Sequence, residues 1–213
     1  MSGLDTRQRI LDAAERLIVI GGYARLTTKD IAREARCAEG TIFNHFGRKE
    51  DLCLAVVLQN APAFRQAISE IQPGKGSTTS NLQHIAVAAI HFFKRLIPLS
   101  VSLLADADLL LRHRQSMAEN GRGPKDVFEL VARYVSEEQQ LGRVRKETSA
   151  MNAASLLLGA CFHRVFIAQV TGKDLFPLSD TEIAAELVSA LNSGLTPKRE
   201  NPTNSRRPTK SRG

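Results

Sequence analysis

The stretch CAEGTIFNHFGRKEDL, Cys37 to Leu52, reads as a short helix, a break and the opening turn of another helix. A helix this short, chosen for stability alone, would carry alanine, leucine or lysine, since glycine costs about 1 kcal/mol against alanine in a helix interior. Gly40, Thr41, Asn44 and His45 stand there instead. At helical spacing Ile42 and Phe46 share one face and point inward. Gly40 and Asn44 then lie opposite, with Thr41 beside them and Phe43 and His45 on the flanks. A preceding helix is expected to end near Ala35, after only a short turn. Two short helices held by Ile31, Ala35, Ile42 and Phe46 form a helix-turn-helix, whose second helix offers its outer face to a major groove. Periodicity alone leaves two readings open, a groove-facing helix and a capped surface turn facing water.

The side-chain chemistry suits the first reading. Asparagine bonds bidentately to an adenine edge, threonine bonds a base or touches a thymine methyl, and glycine permits close approach to the sugar-phosphate. Thr28, at a helix start with unpaired backbone amides, suits a phosphate, as do Lys49 at the next helix start and His45 as a donor.

Outward from this motif, the pattern is helical nearly throughout, with glycine and proline gathered in short clusters. A first helix is expected from a capping box at Asp5 and Gln8, through Ile10, Leu11, Ala14, Leu17 and Ile18, to Gly21-Gly22. A second opens at Thr27 or Thr28, with Ile31, Ala32 and Ala35 inward. A fourth runs from Lys49 toward Ile71, with Pro62 bending it. QPGKGSTTS, Gln72 to Ser80, is the clearest internal boundary. Beyond it the pattern predicts helices over Asn81–Leu96 and Leu103–Leu111 with a break at Pro98, a loop at NGRGP, and helices over Lys125–Gln140 and Thr148–Val170. The last helix starts from the capping box at Ser179 and Glu182 and ends near Gly194.

Composition narrows the function classes. Of 213 residues 43% are hydrophobic and none is tryptophan, so the core rests on aliphatic residues and phenylalanine. Cys37, Cys53 and Cys161 are scattered and odd in number, which fits buried thiols in a reducing compartment rather than a disulfide framework or a zinc site. His91, His113 and His163 lack metal-ligand spacing, no nucleophile motif occurs, and neither enzyme activity nor a cofactor is expected. Asp5, Arg7 and Arg9 interrupt any signal segment, and the apolar run Ala153–Phe162 is too short for a bilayer, so a soluble, cytoplasmic protein is expected. The formal charge is +7, yet beyond Leu195 stand Lys198, Arg199, Arg206, Arg207, Lys210 and Arg212 against Glu200 alone. That proline-punctuated tail, 196–213, reads as disordered, either a solvated extension or a nonspecific contributor to DNA affinity.

The segment Thr6 to Val56 resembles the N-terminal domain of TetR-family transcriptional regulators. The resemblance rests on Gly22-Tyr23, Thr27-Thr28 before Asp30-Ile31-Ala32, and Gly40-Thr41-Ile42-Phe43 followed by His45-Phe46 and Lys49-Glu50. It departs where the family commonly has Gly-Val-Ser and this chain has Arg36-Cys37-Ala38. Ala38 thereby lacks an N-cap hydroxyl worth roughly 0.5–2 kcal/mol. Phe43 stands where tyrosine is frequent, and Arg36 and Arg48 supply nearby cations.

The resemblance implies an all-α fold: a three-helix DNA-binding domain (1–52), joined by a long helix to a ligand-sensing and dimerisation bundle (53–195), then the tail. It implies DNA contacts from Thr28, Arg36, Ala38, Glu39, Gly40, Thr41, Phe43, Asn44, His45, Arg48 and Lys49. The bundle would hold an effector among Phe92, Phe93, Leu96, Phe128, Tyr134, Phe162 and His163. In Thr148–Val170 one apolar row holds Ala154, Leu158, Cys161, Val165 and Ala168, and another Gly159, Phe162, Phe166 and Val170, so the helix should be buried on two sides. A homodimer interface is expected from Ala154, Leu158, Cys161, Val165, Ala184, Leu187, Val188 and Leu191. The function implied is a dimeric repressor of a palindromic operator, released by a small molecule. Two alternatives are a helical ligand-binding or enzymatic domain with an incidental helix-turn-helix, and a nonspecific DNA binder without a ligand.

Overall fold

The computed structural model describes residues 3–120, 123–174 and 177–195. Among these it is all helical: α1 (Gly3–Gly21), α2 (Thr28–Ala35), α3 (Glu39–Phe46), α4 (Lys49–Leu58), α5 (Asn60–Ser69), α6 (Thr78–Leu104), α7 (Ala107–Asn120), α8 (Pro124–Gln140), α9 (Ala150–Thr171) and α10 (Asp180–Leu195). The tail at 196–213 lies outside the described residues.

Local chemistry sets most of the helix ends. Gly22, at φ +73°, closes α1 with its N–H on Ile18 O at 2.8 Å. Thr27 caps α2 by accepting the Asp30 amide, and Ser179 and Glu182 form the expected reciprocal capping box of α10. The box expected at Asp5 and Gln8 does not form. Asp5 is already in the first turn of α1, and Gln8 Nε2 donates to Asp12 Oδ1 (2.8 Å) and Gln59 Oε1 (3.2 Å) instead.

Two prolines act differently from the expectation. The single helix expected from Lys49 to Ile71 is two, α4 and α5, meeting at Gln59. Pro62 has no N–H to give Leu58 O, so the ladder lapses there. The break expected at Pro98 is absent, and α6 runs through it for 27 residues. The carbonyl that Pro98 leaves without a helical donor is that of Lys94, and Gln169 on α9 donates to it at 3.0 Å. A partner 75 residues away thus lets a proline sit inside a helix.

Apolar packing forms two clusters. One joins α1–α4, from Ile10 to Val56, to Leu99, Leu103 and Leu109 of α6 and α7. The other runs from Phe64 through α6, α8 and α9 to Val188. Cys53, Leu54 and Val56 pack in the first cluster, although they fall after the expected boundary at residue 52. The seam between the clusters is polar. Glu15 of α1 is nearly buried and accepts from Arg95 Nε and Nη2, each at 2.9 Å, and from Gln59 Nε2 at 2.8 Å. One carboxylate therefore ties α1, the α4–α5 bend and α6 together.

The run Ala153–Phe162 belongs to α9, a 22-residue helix of mean hydropathy 1.5. It and Thr78–Val101 are long and apolar enough, by length and composition, to cross a membrane. Both pack against other helices of the bundle: Ala154, Leu158, Cys161 and Val165 are buried in the protomer core beside Ile85, Ala86 and Ala89. The second row of α9 is not buried, for Gly159, Phe162 and Val170 are exposed and Phe166 is half-buried.

Candidate DNA-reading helix and effector cavity

α3 enters after a left-handed turn. Arg36 (φ +52°) is the one non-glycine residue at positive φ among the described residues, and its N–H caps α2 on Ala32 O and Arg33 O. A residue with a Cβ pays about 1–2 kcal/mol in this region, which is why the resemblance expects glycine there. Ala38 is the N-cap of α3 and offers no side-chain acceptor, as its methyl requires.

The faces fall as periodicity predicts. Ile42 is fully buried and Phe46 half-buried, with the Arg7 guanidinium 5.0 Å above its ring. Gly40, Asn44 and Phe43 are exposed, Thr41 and His45 partly so. Arg36 and Arg48 are exposed cations on either side of α3. A Cβ built on Gly40 meets nothing within 4 Å, so nothing inside the protomer requires glycine at that site.

Two expected phosphate contacts have internal partners. The Thr28 hydroxyl donates to Glu39 Oε1, fastening the start of α2 to α3. Lys49 Nζ lies 4.2 Å over the Tyr23 ring and 3.4 Å from Tyr23 O, while Tyr23 OH donates to Glu50. Burial, then the Glu50 carboxylate, push the Tyr23 phenol above its ordinary range. Lys49 is thus a structural cation as well as a candidate anchor.

Behind this domain a cavity of about 860 Å³ opens between α4–α5, α6, α7 and α8. Phe92, Phe93, Leu96 and Phe128, four of the residues named above for an effector, line it. Tyr134, Phe162 and His163 do not. Tyr134 is buried among Asn81, Glu138 and Arg143, a polar cluster that pins the Gln72–Ser77 turn: Glu138 Oε1 accepts from Gly74 N and Arg143 Nη2 donates to Gly76 O. Phe162 packs edge-on to Phe93, and His163 faces outward. Wall residues missed in the sequence include Val57, Leu58, Arg65, Leu103, His113 and Met117. Burial holds the His113 imidazole below its ordinary range, so the ring is neutral at neutral pH.

The expected dimer residues need correction. Ala154, Leu158, Cys161, Val165, Ala184 and Val188 have almost no accessible surface in the protomer and cannot meet a second chain; Leu187 and Leu191 are half-buried. Those six residues form the inner face of the protomer bundle. Outward on α9 stand Met151, Leu156, Gly159 and Val170. Burial also pushes the Cys53 and Cys161 thiols up to about 12, which leaves them neutral and inert.

Comparison with known proteins agrees with this geometry. The sequence model of the bacterial regulatory proteins, tetR family, matches residues 10–56, from the buried Ile10 to Val56 of α4. The uncharacterized HTH-type transcriptional regulator YvkB of Bacillus subtilis strain 168 is 28% identical over 168 residues, 76% of this chain and 84% of that one. UidR of Escherichia coli K12, also an HTH-type transcriptional regulator, is 25% identical over 80% of this chain and 84% of its own length. SmeT, the repressor of the Stenotrophomonas maltophilia multidrug efflux pump SmeDEF, superposes with a TM-score of 0.65 at 20% identity, covering 96% of this chain and 98% of that one. The chain belongs to the TetR family. It is a DNA-binding transcriptional regulator of that type.

Proposed function

We propose that the protein is a homodimeric repressor whose α3 reads a palindromic operator and whose affinity falls when a small molecule fills the cavity. Gly40 carries this reading. It is a glycine in the first turn of α3, on an exposed face with open space where its Cβ would be, so the fold of the protomer does not require it and close approach from outside accounts for it. The adjoining Thr41, Asn44 and Phe43 supply base-edge chemistry, and Arg36 and Arg48 flank them as phosphate anchors. SmeT has also been solved as a complex with triclosan, which supports an effector role for the cavity. Two copies joined through the outward face of α9 would present two recognition helices to successive major-groove faces. Effector and operator would then oppose each other reciprocally.

Selection of an operator from a random DNA pool tests this reading. A palindrome should emerge, and Asn44→Ala should cost roughly 1–3 kcal/mol and relax preference at one position per half-site. Arg48→Ala should weaken operator and unrelated DNA alike, with a shallower salt dependence. No enriched sequence, or an Asn44→Ala loss equal on both DNAs, would sink the assignment.

A further inference from the structure

The cavity wall is asymmetric in charge. Among the described residues Arg65 of α5 is the one lysine or arginine lining it, and no described aspartate or glutamate does so. The remaining polar side chains of the wall are Ser100, Ser116 and the neutral His113. Arg65 Nη2 meets Asp126 Oδ2 at 3.0 Å, leaving most of a five-donor guanidinium uncommitted to that ion pair. Asp126 stands outside the cavity at the start of α8, where the same Oδ2 accepts the Gly123 N–H at 3.3 Å. Most of the remaining lining is apolar and includes Phe92, Phe93 and Phe128.

The geometry points to an effector class: an apolar molecule ending in a carboxylate or comparable anionic acceptor, its head on Arg65 and its body among the phenylalanines. This rests on the reading of the cavity as the effector site. A guanidinium offers a planar fork that matches a carboxylate with charge-assisted bonds. A cationic molecule of the same shape would meet the Arg65 guanidinium, whose charge only Asp126, off the wall, offsets. The volume is that of a site for one drug-sized ligand, and an apolar wall with few polar groups fixes orientation through those groups.

The test uses the full chain and three probes sharing one tail: dodecanoate, dodecanol and dodecyltrimethylammonium, titrated calorimetrically below their micelle concentrations. Dodecanoate should bind at least about tenfold more tightly than the cation, with the alcohol between them. Arg65→Gln should erase that order, and Arg65→Lys should keep part of it. Asp126→Asn, which removes the competing anion while retaining an acceptor for Gly123, should tighten dodecanoate binding. Loss of folding cannot mimic these opposite signs. The inference is overturned if the cation binds as well as dodecanoate, if none of the three binds, or if Arg65→Gln with an unchanged thermal melt keeps the anion preference. Operator affinity is measured in parallel. Dodecanoate bound with the predicted order but without effect on operator leaves the ligand class standing and sinks the release mechanism.

Discussion

The proposed DNA-facing surface and the cavity differ in how far along the chain their parts lie. The outer face of α3 and its flanking cations are all drawn from the segment between Thr28 and Lys49. The cavity takes its wall from five helices between Val57 and Phe128. A groove constrains one face of one helix, and helical spacing reads that face directly. A cavity is defined by how helices cross, and periodicity says which residues face inward without saying whom they meet. Residues legible at the first site are therefore local, and those missed at the second are not.

The sharpest way to break this contrast is at α9, whose inner and outer rows are both apolar. Leu158 is fully buried, so Leu158→Asp places an unpaired charge in the bundle core and should cost more than about 4 kcal/mol, abolishing the cooperative denaturant transition. Leu156 is 64% exposed, so Leu156→Asp should stay within about 0.5 kcal/mol of the parent in stability. If α9 carries the dimer contact, it should nevertheless sediment as a monomer. A well-folded Leu158→Asp monomer would place the dimer contact on the inner row instead.

The ambiguity of α9 has a physical origin. Both rows of α9 are apolar, because one packs in the protomer and the other is left outward. Hydrophobicity cannot tell an internal partner from an external one. α3 escapes that ambiguity through its polar face: Gly40, Thr41 and Asn44 fit neither a core nor an ordinary solvated helix. The first three helices, the end of α1 at Gly22 and the caps at Thr27 and Ser179 are legible for the same local reason. Tyr134 was misread because a large buried aromatic suggests a pocket, whereas its hydroxyl belongs to a polar cluster assembled from three separate segments.

Pro98 offers a smaller effect of the same nonlocal kind. Gln169 stands in for the missing proline donor at Lys94 O, so Gln169→Ala should destabilise the protein by roughly 1 kcal/mol. In a Pro98→Ala background the restored backbone amide can take that carbonyl, and the Gln169→Ala cost should largely vanish. The double-mutant cycle, measured by urea denaturation, reads this coupling directly. Additive costs would show that Gln169 matters for some reason other than the proline.

The mildest change falls on the local side of the comparison, at Gly40. Because a Cβ there meets open space in the first turn of α3, Gly40→Ala should stabilise the isolated protein by about 0.5 kcal/mol. The same methyl would stand on the face where α3 approaches the duplex, so DNA binding should weaken while the fold strengthens. That pairing of signs is the signature of a residue kept for its partner rather than for its protomer. The approach argued for Gly40 is to the sugar-phosphate, which carries no sequence information. Affinity for operator and for unrelated DNA should therefore fall together, unlike the base-specific loss expected for Asn44→Ala. Thermal melts without DNA and titrations on both duplexes separate these effects. A more stable variant with undiminished operator affinity would remove Gly40 from the DNA-reading surface.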